Sequence, residues 1–290
     1  MRRVIALALA ACACGRIDFD PRADAGAEPR CSWSQAPRLQ NERLRTELST
    51  PLTDSDPIFV RGDPLTITLT TIAAGNLDLF TAHRPSVDAD FEQPTLVTDL
   101  STPGDELALQ IDTTGHGYFV KDIANDTDLY EVQRVGGTLQ IVRALTELND
   151  TMRQHDPHFT ADGLSLWFAT ATPTANQDLM IAHRPDTSST WTNVEPFPFN
   201  TSGGDASATL TDDQLLAVWA SRSLTGTFND IWYATRPTVG APWSAPQQLP
   251  LATDTHELEP SIRGDGCELL FARASTPTDM NWEIYSVDID

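Results

Sequence analysis

The feature of this chain that most limits its fold is an eight-residue phrase that returns at nearly constant intervals. Asp178–Pro185 reads DLMIAHRP, Asp78–Pro85 reads DLFTAHRP and Asp230–Pro237 reads DIWYATRP. Two weaker copies, DLYEVQR and EIYSVDI, begin at Asp128 and Glu283, so the steps between copies are 50, 50, 52 and 53 residues. A fixed step of this size indicates a repeat architecture in which each copy is one supersecondary unit.

Each repeat contains four segments with the character of short strands. In the third repeat they are Pro157–Thr160, Leu164–Thr170, Gln177–His183 and Trp191–Phe197, and the first two are separated by a tight turn at Gly163. Glycine suits that turn because it adopts positive φ without steric cost. Four short strands in about 50 residues are typical of one blade of a β-propeller.

The two ends of the chain complement each other. The fifth repeat stops one strand short, whereas Trp33–Leu39 (WSQAPRL) matches the outer strand Trp243–Leu249 (WSAPQQL) of the fourth. Pairing the N-terminal strand with the last repeat would close a ring and remove its open edges. We therefore predict an all-β fold, a five-bladed propeller of four-stranded antiparallel blades closed by residues 33–39. An open stack of sheets would leave that strand without a partner.

The N-terminus has the pattern of an export signal. Arg2 and Arg3 precede the apolar run Val4–Leu9, and Leu9-Ala10-Ala11-Cys12 resembles the lipobox of bacterial lipoproteins. The predicted organisation is a signal peptide at 1–11, a lipidated Cys12 with a flexible tether to residue 30, and a propeller at 31–290. A non-lipidated export signal is the alternative. Since Ala13 and not Asp follows Cys12, we expect the outer membrane, facing the periplasm or the exterior, with membrane contact through the lipid only.

Charge and motif content exclude several function classes. Acidic residues outnumber basic ones 41 to 19, giving a net charge of −22, so a nucleic-acid partner is not expected. The sequence has no His-x-x-x-His or Cys-x-x-Cys spacing that would indicate zinc, and no Gly-x-Ser-x-Gly nucleophile motif. We expect a monomer.

The repeat resembles the WD40-like, TolB-type propeller repeat known as PD40. That family's pattern places a Pro before an Asp-Gly turn, followed by Leu-x-Phe, an Asp-Leu-aromatic segment and Ala-x-Arg. The third repeat matches it at Pro157, Asp162, Gly163, Leu166, Phe168, Asp178, Leu179, Ala182 and Arg184. The fourth repeat departs from it with Ala208 in place of Pro, and the second departs most. The resemblance covers about 33–290 and implies an exported binding or scaffold module, although some related propellers are enzymes.

One polar position recurs three residues before each inner-strand Pro or its equivalent. Its five occupants are Asp54, Asp105, Gln154, Asp205 and Glu257. In a ring they would surround one mouth of the central channel, where four carboxylates could hold Ca²⁺ or a basic or polyhydroxyl ligand. The alternative is that each acid bonds backbone amides of its own turn, as Asp commonly does. No other cofactor is expected.

Two functional classes remain open at this point. The first is a lipid-anchored, non-catalytic binding or scaffold module for an envelope protein or polysaccharide. The second is a carbohydrate-active enzyme, which needs carboxylates in different local settings so that one stays protonated. Because the recurrent acids follow the symmetry of the repeat, the sequence favours the first.

Two cysteines fall within the predicted propeller, Cys31 and Cys267. Ring closure puts both in the fifth blade, at the same end of parallel strands two positions apart, about 9.6 Å from each other. A fold of the chain before Trp33 would bring them within bonding distance. Export to an oxidising compartment favours a disulfide over two free thiols.

Overall fold

The computed structural model describes residues 31–33, 36–50, 52–73, 75–171, 176–222, 228–251, 253–276 and 278–290. These residues form five four-stranded sheets, and each sheet is antiparallel throughout. Each innermost strand contacts the innermost strands of both neighbouring sheets, so the five sheets close into a ring. The predicted five-bladed propeller is therefore confirmed.

The first three blades follow the chain without interruption. Blade one consists of β2 (Asp54–Phe59), β3 (Thr66–Ala73), β4 (Asn76–His83) and β5 (Thr95–Leu96). Blade two consists of β6 (Glu106–Ile111), β7 (Gly117–Ile123), β8 (Asp126–Val135) and β9 (Thr138–Ala144). Blade three consists of β10 (Arg153–Phe159), β11 (Ser165–Ala171), β12 (Asp178–His183) and β13 (Thr192–Pro196).

The last two blades include the closure of the ring. Blade four consists of β14 (Asp205–Leu210), β15 (Leu216–Ser221), β16 (Asp230–Thr235) and β17 (Gln247–Gln248). Blade five consists of β18 (Glu257–Ile262), β19 (Glu268–Thr276), β20 (Asp279–Ile289) and the N-terminal β1 (Leu39–Leu44). None of the described residues forms a helix long and apolar enough to cross a membrane.

The N-terminal strand completes blade five as predicted, but the paired residues lie further along the chain. β1 pairs with β20 from Leu39↔Ile289 to Leu44↔Tyr285, whereas the sequence predicted residues 33–39. Trp33 is used for packing instead: its indole donates to Gly266 O at 2.8 Å, and its ring meets Tyr233 edge-on at 5.1 Å. The tryptophan therefore wedges between blades four and five before the strand begins.

A disulfide and a buried cluster of ion pairs stabilise the region where the N-terminal segment meets blade five. Cys31 and Cys267 are bonded, with their Cα atoms 5.1 Å apart, which confirms the predicted pair. Nearby, the buried Glu268 accepts hydrogen bonds from both terminal nitrogens of Arg84, at 2.8 and 2.6 Å. It also forms ion pairs with Arg45 and Arg263. One carboxylate thus joins blade one, blade five and the segment that follows β1.

Every innermost strand carries the same irregularity. The antiparallel register shifts once in each of β2, β6, β10, β14 and β18. At the shift one residue adopts positive φ, between 48° and 54°. The five residues are Asp56, Ala108, Asp156, Ser207 and Glu259. A bulge of this kind re-aims a side chain, and here it does so at five equivalent places around the axis.

Candidate functional site

Four of the five residues predicted to surround a channel mouth make hydrogen bonds within local turns. Asp54 accepts the N–H of Thr50 at 2.6 Å, Asp205 accepts the N–H of Thr201 at 2.5 Å, and Glu257 accepts the hydroxyl of Thr253. Gln154 bonds Asp150 Oδ1 at 3.0 Å. In each case the partner lies four residues earlier in the chain. The alternative interpretation, a turn-fixing role, accounts for these contacts.

Blade two places a different acid at the equivalent position. Glu106, the first residue of β6, accepts the N–H of Thr102 at 3.0 Å, so it corresponds to Asp54. Asp105 instead accepts the N–H of Leu77, in blade one, at 2.9 Å. Burial raises the pKa of Asp54, Asp205 and Glu257, and no charge from another member of the predicted ring contributes to these shifts. Mutual repulsion, the premise of the cation site, is therefore not seen within the set.

The acids that do lie close together are two residues further along the chain than Asp54, Gln154 and Glu257. The bulge residues Asp56, Asp156 and Glu259, together with Ser207 and Ala108, line a narrow part of the central channel with a free volume of about 30 Å³. We call these five residues the collar. Asp56 is buried, whereas Asp156 and Glu259 are partly exposed. Three like charges thus converge where there is space for only about one water.

The collar carboxyls are electrostatically linked. Burial and the charge of Asp156 raise the pKa of Asp56 to about 7. Burial, with the charges of Asp56 and Asp156, raises the pKa of Glu259 well above its usual range. Hydrogen bonds oppose these shifts in part: Thr70, Ser55 and the Ala108 N–H donate to Asp56, and the N–H of Asp56 donates to Glu259 Oε2 at 2.8 Å. At neutral pH the collar therefore holds bound protons.

Beyond the collar, the channel opens into a wider space of about 200 Å³. We call it the chamber. Its wall includes one polar side chain from each blade in chain order, namely Arg61, Gln110, His158, Thr209 and Ser261. It lies at the end of the propeller formed by the turns that follow the innermost strands, where Gly62, Asp212 and Asp265 complete its rim.

The chamber side chains join each blade to the next. Ser261 Oγ accepts the N–H of Phe59 at 3.0 Å, Thr209 Oγ1 accepts that of Ile262 at 3.4 Å, and Gln110 Oε1 accepts that of Phe159 at 2.6 Å. The N–H of Leu210 points at His158 Nε2, 3.1 Å away. Blade one has the apolar Ile58 at this position, so the sequence of bonds is interrupted there.

His158 has more donors around it than it can accept. Gln110 Nε2 lies 2.7 Å from Nδ1, and both the Leu210 N–H and Arg61 Nη2 face Nε2, at 3.1 and 2.9 Å. A neutral imidazole has one acceptor nitrogen and one N–H, so one of the two sides is mismatched in either tautomer. Burial and the charge of Arg61 place the pKa of His158 well below its usual value, which excludes the protonated form.

Arg61 crosses the chamber from blade one. Nη1 bonds Asp212 Oδ1 of blade four at 2.9 Å, and Nη2 meets His158 of blade three. The guanidinium carbon lies 5.1 Å from the ring centre of Phe159. The side chain is 9% exposed, and its buried Nε has no hydrogen-bond partner within the described part of the chain. Burial lowers the pKa of Arg61 from its usual value.

Neither a protein-family model nor a curated protein sequence matches the chain. Solved structures do share its fold. An α-L-arabinofuranosidase from Podospora anserina superposes with a TM-score of 0.54 at 13% identity, covering 82% of this chain and 91% of its own. A putative TolB from Agrobacterium tumefaciens gives 0.53 at 14%, covering 88% and 89%. An endo-arabinase from Bacteroides thetaiotaomicron gives 0.52 at 14%, covering 87% and 98%. At such identities the likeness shows the propeller fold alone.

The sequence contains a pattern that marks the collar, although it was not used to predict the site. Three of the five innermost strands carry an acid immediately before proline, namely Asp56, Asp156 and Glu259. Because proline cannot donate to the strand ladder and within sheets is confined to edges, strand starts and bulges, these prolines indicate a bulge beside them. Arg61 had no repeat-based signal, since the equivalent turns carry Thr113, Ala161, Asp212 and Gly264.

The remaining predicted sites are the lipidation site Cys12 and the metal or ligand site of the five recurrent polar residues. Cys12 and the rest of 1–30 lie outside the described residues. Within the described ranges, no group of three or more His, Cys, Asp or Glu side chains is arranged to hold a metal ion. Binding of Ca²⁺ or of a ligand by Asp54, Asp105, Gln154, Asp205 and Glu257 stays a prediction.

Proposed function

We propose that this protein is an exported, lipid-anchored binding module that holds part of an envelope polymer or protein at the chamber and does not transform it. The observation that carries this proposal is the convergence on one space of a polar side chain from every blade. A concave site with a few convergent polar groups is the usual form of a ligand site.

Access supports binding over catalysis. Hydrolysis of a glycoside needs two carboxyl groups about 5 to 10 Å apart with the sugar between them. The collar carboxyls line a space of about 30 Å³, whereas the chamber, with about 200 Å³, is walled by Arg61, Gln110, His158 and two hydroxyls. A sugar ring seated in the chamber would have the collar acids behind it, and the rim acids Asp63, Asp212 and Asp265 are each bonded to groups of the protein.

The predicted compartment agrees with this role. The lipobox at Leu9–Cys12 and the Cys31–Cys267 disulfide both favour an exported protein, the first by its pattern and the second by its redox requirement. Lipidation at Cys12 would tether the propeller to the outer membrane as a monomer, facing the periplasm or the exterior. Envelope proteins and polysaccharides are then the partners within reach.

A second candidate function, glycoside hydrolysis, is favoured by one observation. Glu259 is kept protonated beside other carboxyls, and neighbouring acids with separated proton affinities are the usual arrangement of a general acid and its partner. Widening of the collar on substrate binding would then be required.

Site-specific photo-crosslinking tests the binding role. A photoreactive residue in place of Thr113, exposed beside Gly62 on the chamber side, is expected to capture an envelope protein or polysaccharide in living cells. The same residue in place of Val142, which is 56% exposed on the outer strand β9, is the control and should capture much less. Equal capture at both positions would contradict a partner at the chamber.

Turnover assays separate the two candidates. Purified protein incubated with chromogenic arabinofuranosides and xylosides is expected to release no product above buffer. Release that disappears in Glu259→Gln would overturn the binding proposal in favour of hydrolysis. Asp88→Asn, an exposed acid in blade one, is the matched control for loss of a carboxylate.

A further inference from the structure

One edge of the Arg61 guanidinium lacks a suitable acceptor. Nε and Nη2 share the side edge of the planar fork, which is the edge that binds a carboxylate through two parallel hydrogen bonds. In this structure Nη1 is satisfied by Asp212, Nη2 faces the over-supplied His158, and the buried Nε has no partner among the described residues. Leaving buried donors of a charged group unsatisfied is costly, so the edge is prepared for an anion.

Hydroxyl groups beside this edge are also partly unused. Ser261 Oγ and Thr209 Oγ1 each accept a backbone N–H from the next blade. No acceptor for the proton of either hydroxyl is found in the described part of the chain, so each O–H remains able to donate to a ligand. The chamber therefore offers a bidentate cation edge together with hydroxyl donors, in a volume of about 200 Å³.

The acids at the rim do not occupy these donors. Asp63 accepts the N–H of Leu65 and the hydroxyl of Thr66, and Asp265 accepts the N–H of Cys267 and pairs with Arg263. Asp212 holds only Nη1 of Arg61. The rim carboxylates thus weaken anion binding by long-range repulsion, but none of these three acids bonds the Nε–Nη2 edge of Arg61.

We propose that the chamber binds a carboxylate-bearing sugar, with its carboxylate on the Nε–Nη2 edge of Arg61 and its hydroxyls against Ser261 and Thr209. The proposal rests on the proposed function, since it uses the same chamber. The carboxylate takes over the donor at Nη2, and His158 then accepts from the Leu210 N–H alone at Nε2. A uronic acid residue of an envelope polysaccharide has this chemistry.

Calorimetry with matched sugars tests the chemical class. The probes are D-glucuronate, its methyl ester and D-glucose, titrated into the disulfide-bonded full propeller. We expect D-glucuronate to bind at least tenfold more tightly than the other two, because only it presents a planar anion to the guanidinium. The chain is strongly acidic, so screening by salt should strengthen glucuronate binding slightly and not weaken it.

Two charge variants act in opposite directions. Arg61→Gln is expected to weaken glucuronate binding at least tenfold, and Arg134→Gln, which removes an exposed arginine of blade two, is its control. Asp212→Asn removes a rim charge while its amide oxygen can still accept from Nη1, so it should tighten binding severalfold. Asp88→Asn is the control for that change, and the gain keeps the test decisive if Arg61→Gln folds poorly.

Each outcome decides the inference separately from the proposed function. Tight binding of glucuronate with the opposite effects of Arg61→Gln and Asp212→Asn supports it. Equal binding of glucuronate and its ester overturns the carboxylate in favour of a neutral sugar and leaves the binding role intact. Binding of none of the three probes, while the Thr113 crosslink still forms, also overturns the inference alone.

Discussion

The collar and the chamber are built from the same five strands and differ in almost every physical respect. Collar side chains sit on bulge residues with positive φ, and three of the five are carboxyl groups whose charges disfavour each other. Four of the five chamber side chains lie two residues further along, and each of these faces an N–H of the next blade. Two residues along each innermost strand thus separate a part of the channel where acids repel each other from a part whose hydrogen bonds join neighbouring blades.

This difference separates two uses of the repeat. Chamber residues contribute to the stability of the ring because each bond spans a blade boundary. Collar acids oppose that stability when ionised, since burial and mutual repulsion both disfavour their charges. Residues that lower stability in this way are often retained for function. A functional site is therefore expected in the channel and not on the outer strands.

The largest expected effect comes from neutralising the collar. Asp56→Asn with Glu259→Gln should raise the free energy of unfolding at pH 8 by on the order of 2 to 4 kcal/mol, because it removes two acids with raised pKa values. Acids with raised folded pKa values bind protons that the unfolded chain releases, so their stabilising protonation is lost as pH rises from about 4 through about 7. Urea unfolding of variant and wild type at pH 5 and pH 8 measures the difference.

Asp88→Asn is the control for this experiment, and it should change stability by less than about 0.5 kcal/mol at either pH. A gain for the double variant that does not grow between pH 5 and pH 8 would contradict the electrostatic origin assigned to the collar.

The second effect concerns the chamber. Gln110→Ala leaves the buried Phe159 N–H without its acceptor, and it is expected to cost about 2 kcal/mol in urea unfolding. Its dependence on pH should match that of the wild type, in contrast to the collar variant. A stability close to that of the wild type would mean that water replaces the glutamine and that the bond between blades two and three is dispensable.

A smaller effect follows from two hydroxyls at equivalent positions. Ser261→Ala removes a 3.0 Å bond to the Phe59 N–H, and Thr209→Val removes a 3.4 Å bond to the Ile262 N–H. We expect costs of about 1.5 and about 0.5 kcal/mol respectively, since the longer bond is the weaker one. Thermal unfolding at one pH ranks them, and the reverse order would contradict the geometry.

The smallest expected effect is that of Ca²⁺. Addition of 1 mM Ca²⁺ should shift the melting temperature by less than about 1 °C, because the acids at the start of the innermost strands are occupied by their own turns. A larger rise that Asp54→Asn abolishes would restore the predicted cation site. Mg²⁺ at the same concentration serves as the control for ionic strength.

Repeat spacing and the matching chain ends were sufficient to predict the ring. Both observations concern segments that must pair, and strand pairing leaves a clear pattern in sequence. The Cys31–Cys267 disulfide followed from that closure and is confirmed. The bounds of β1 were wrong by about six residues, because Trp33 bonds Gly266 and packs against Tyr233 of blade four before pairing begins.

The candidate site was harder to predict for two physical reasons. The innermost strands of repeats one, three and five were expected to begin at Pro57, Pro157 and Ser261. β2, β10 and β18 begin three or four residues earlier, so Asp54, Gln154 and Glu257 are ladder residues. The bulge then determines which side chain points toward the central axis. A register error of one residue would place every side chain of the strand on the opposite face of the sheet. Arg61 breaks the repeat, and a pattern search for common features passes over such a residue.

The bond between Cys31 and Cys267 also determines how the molecule carries mechanical load. A pull on the chain before Cys31 passes through the disulfide to the start of β19, and it does not run along β1. β19 lies inside its sheet and is paired on both sides, by β18 and β20. Tension would therefore be spread over two ladders while the β1–β20 hydrogen bonds stay unloaded. A propeller that is anchored by its N-terminus can therefore bear tension without losing the β1–β20 pairing that closes its ring.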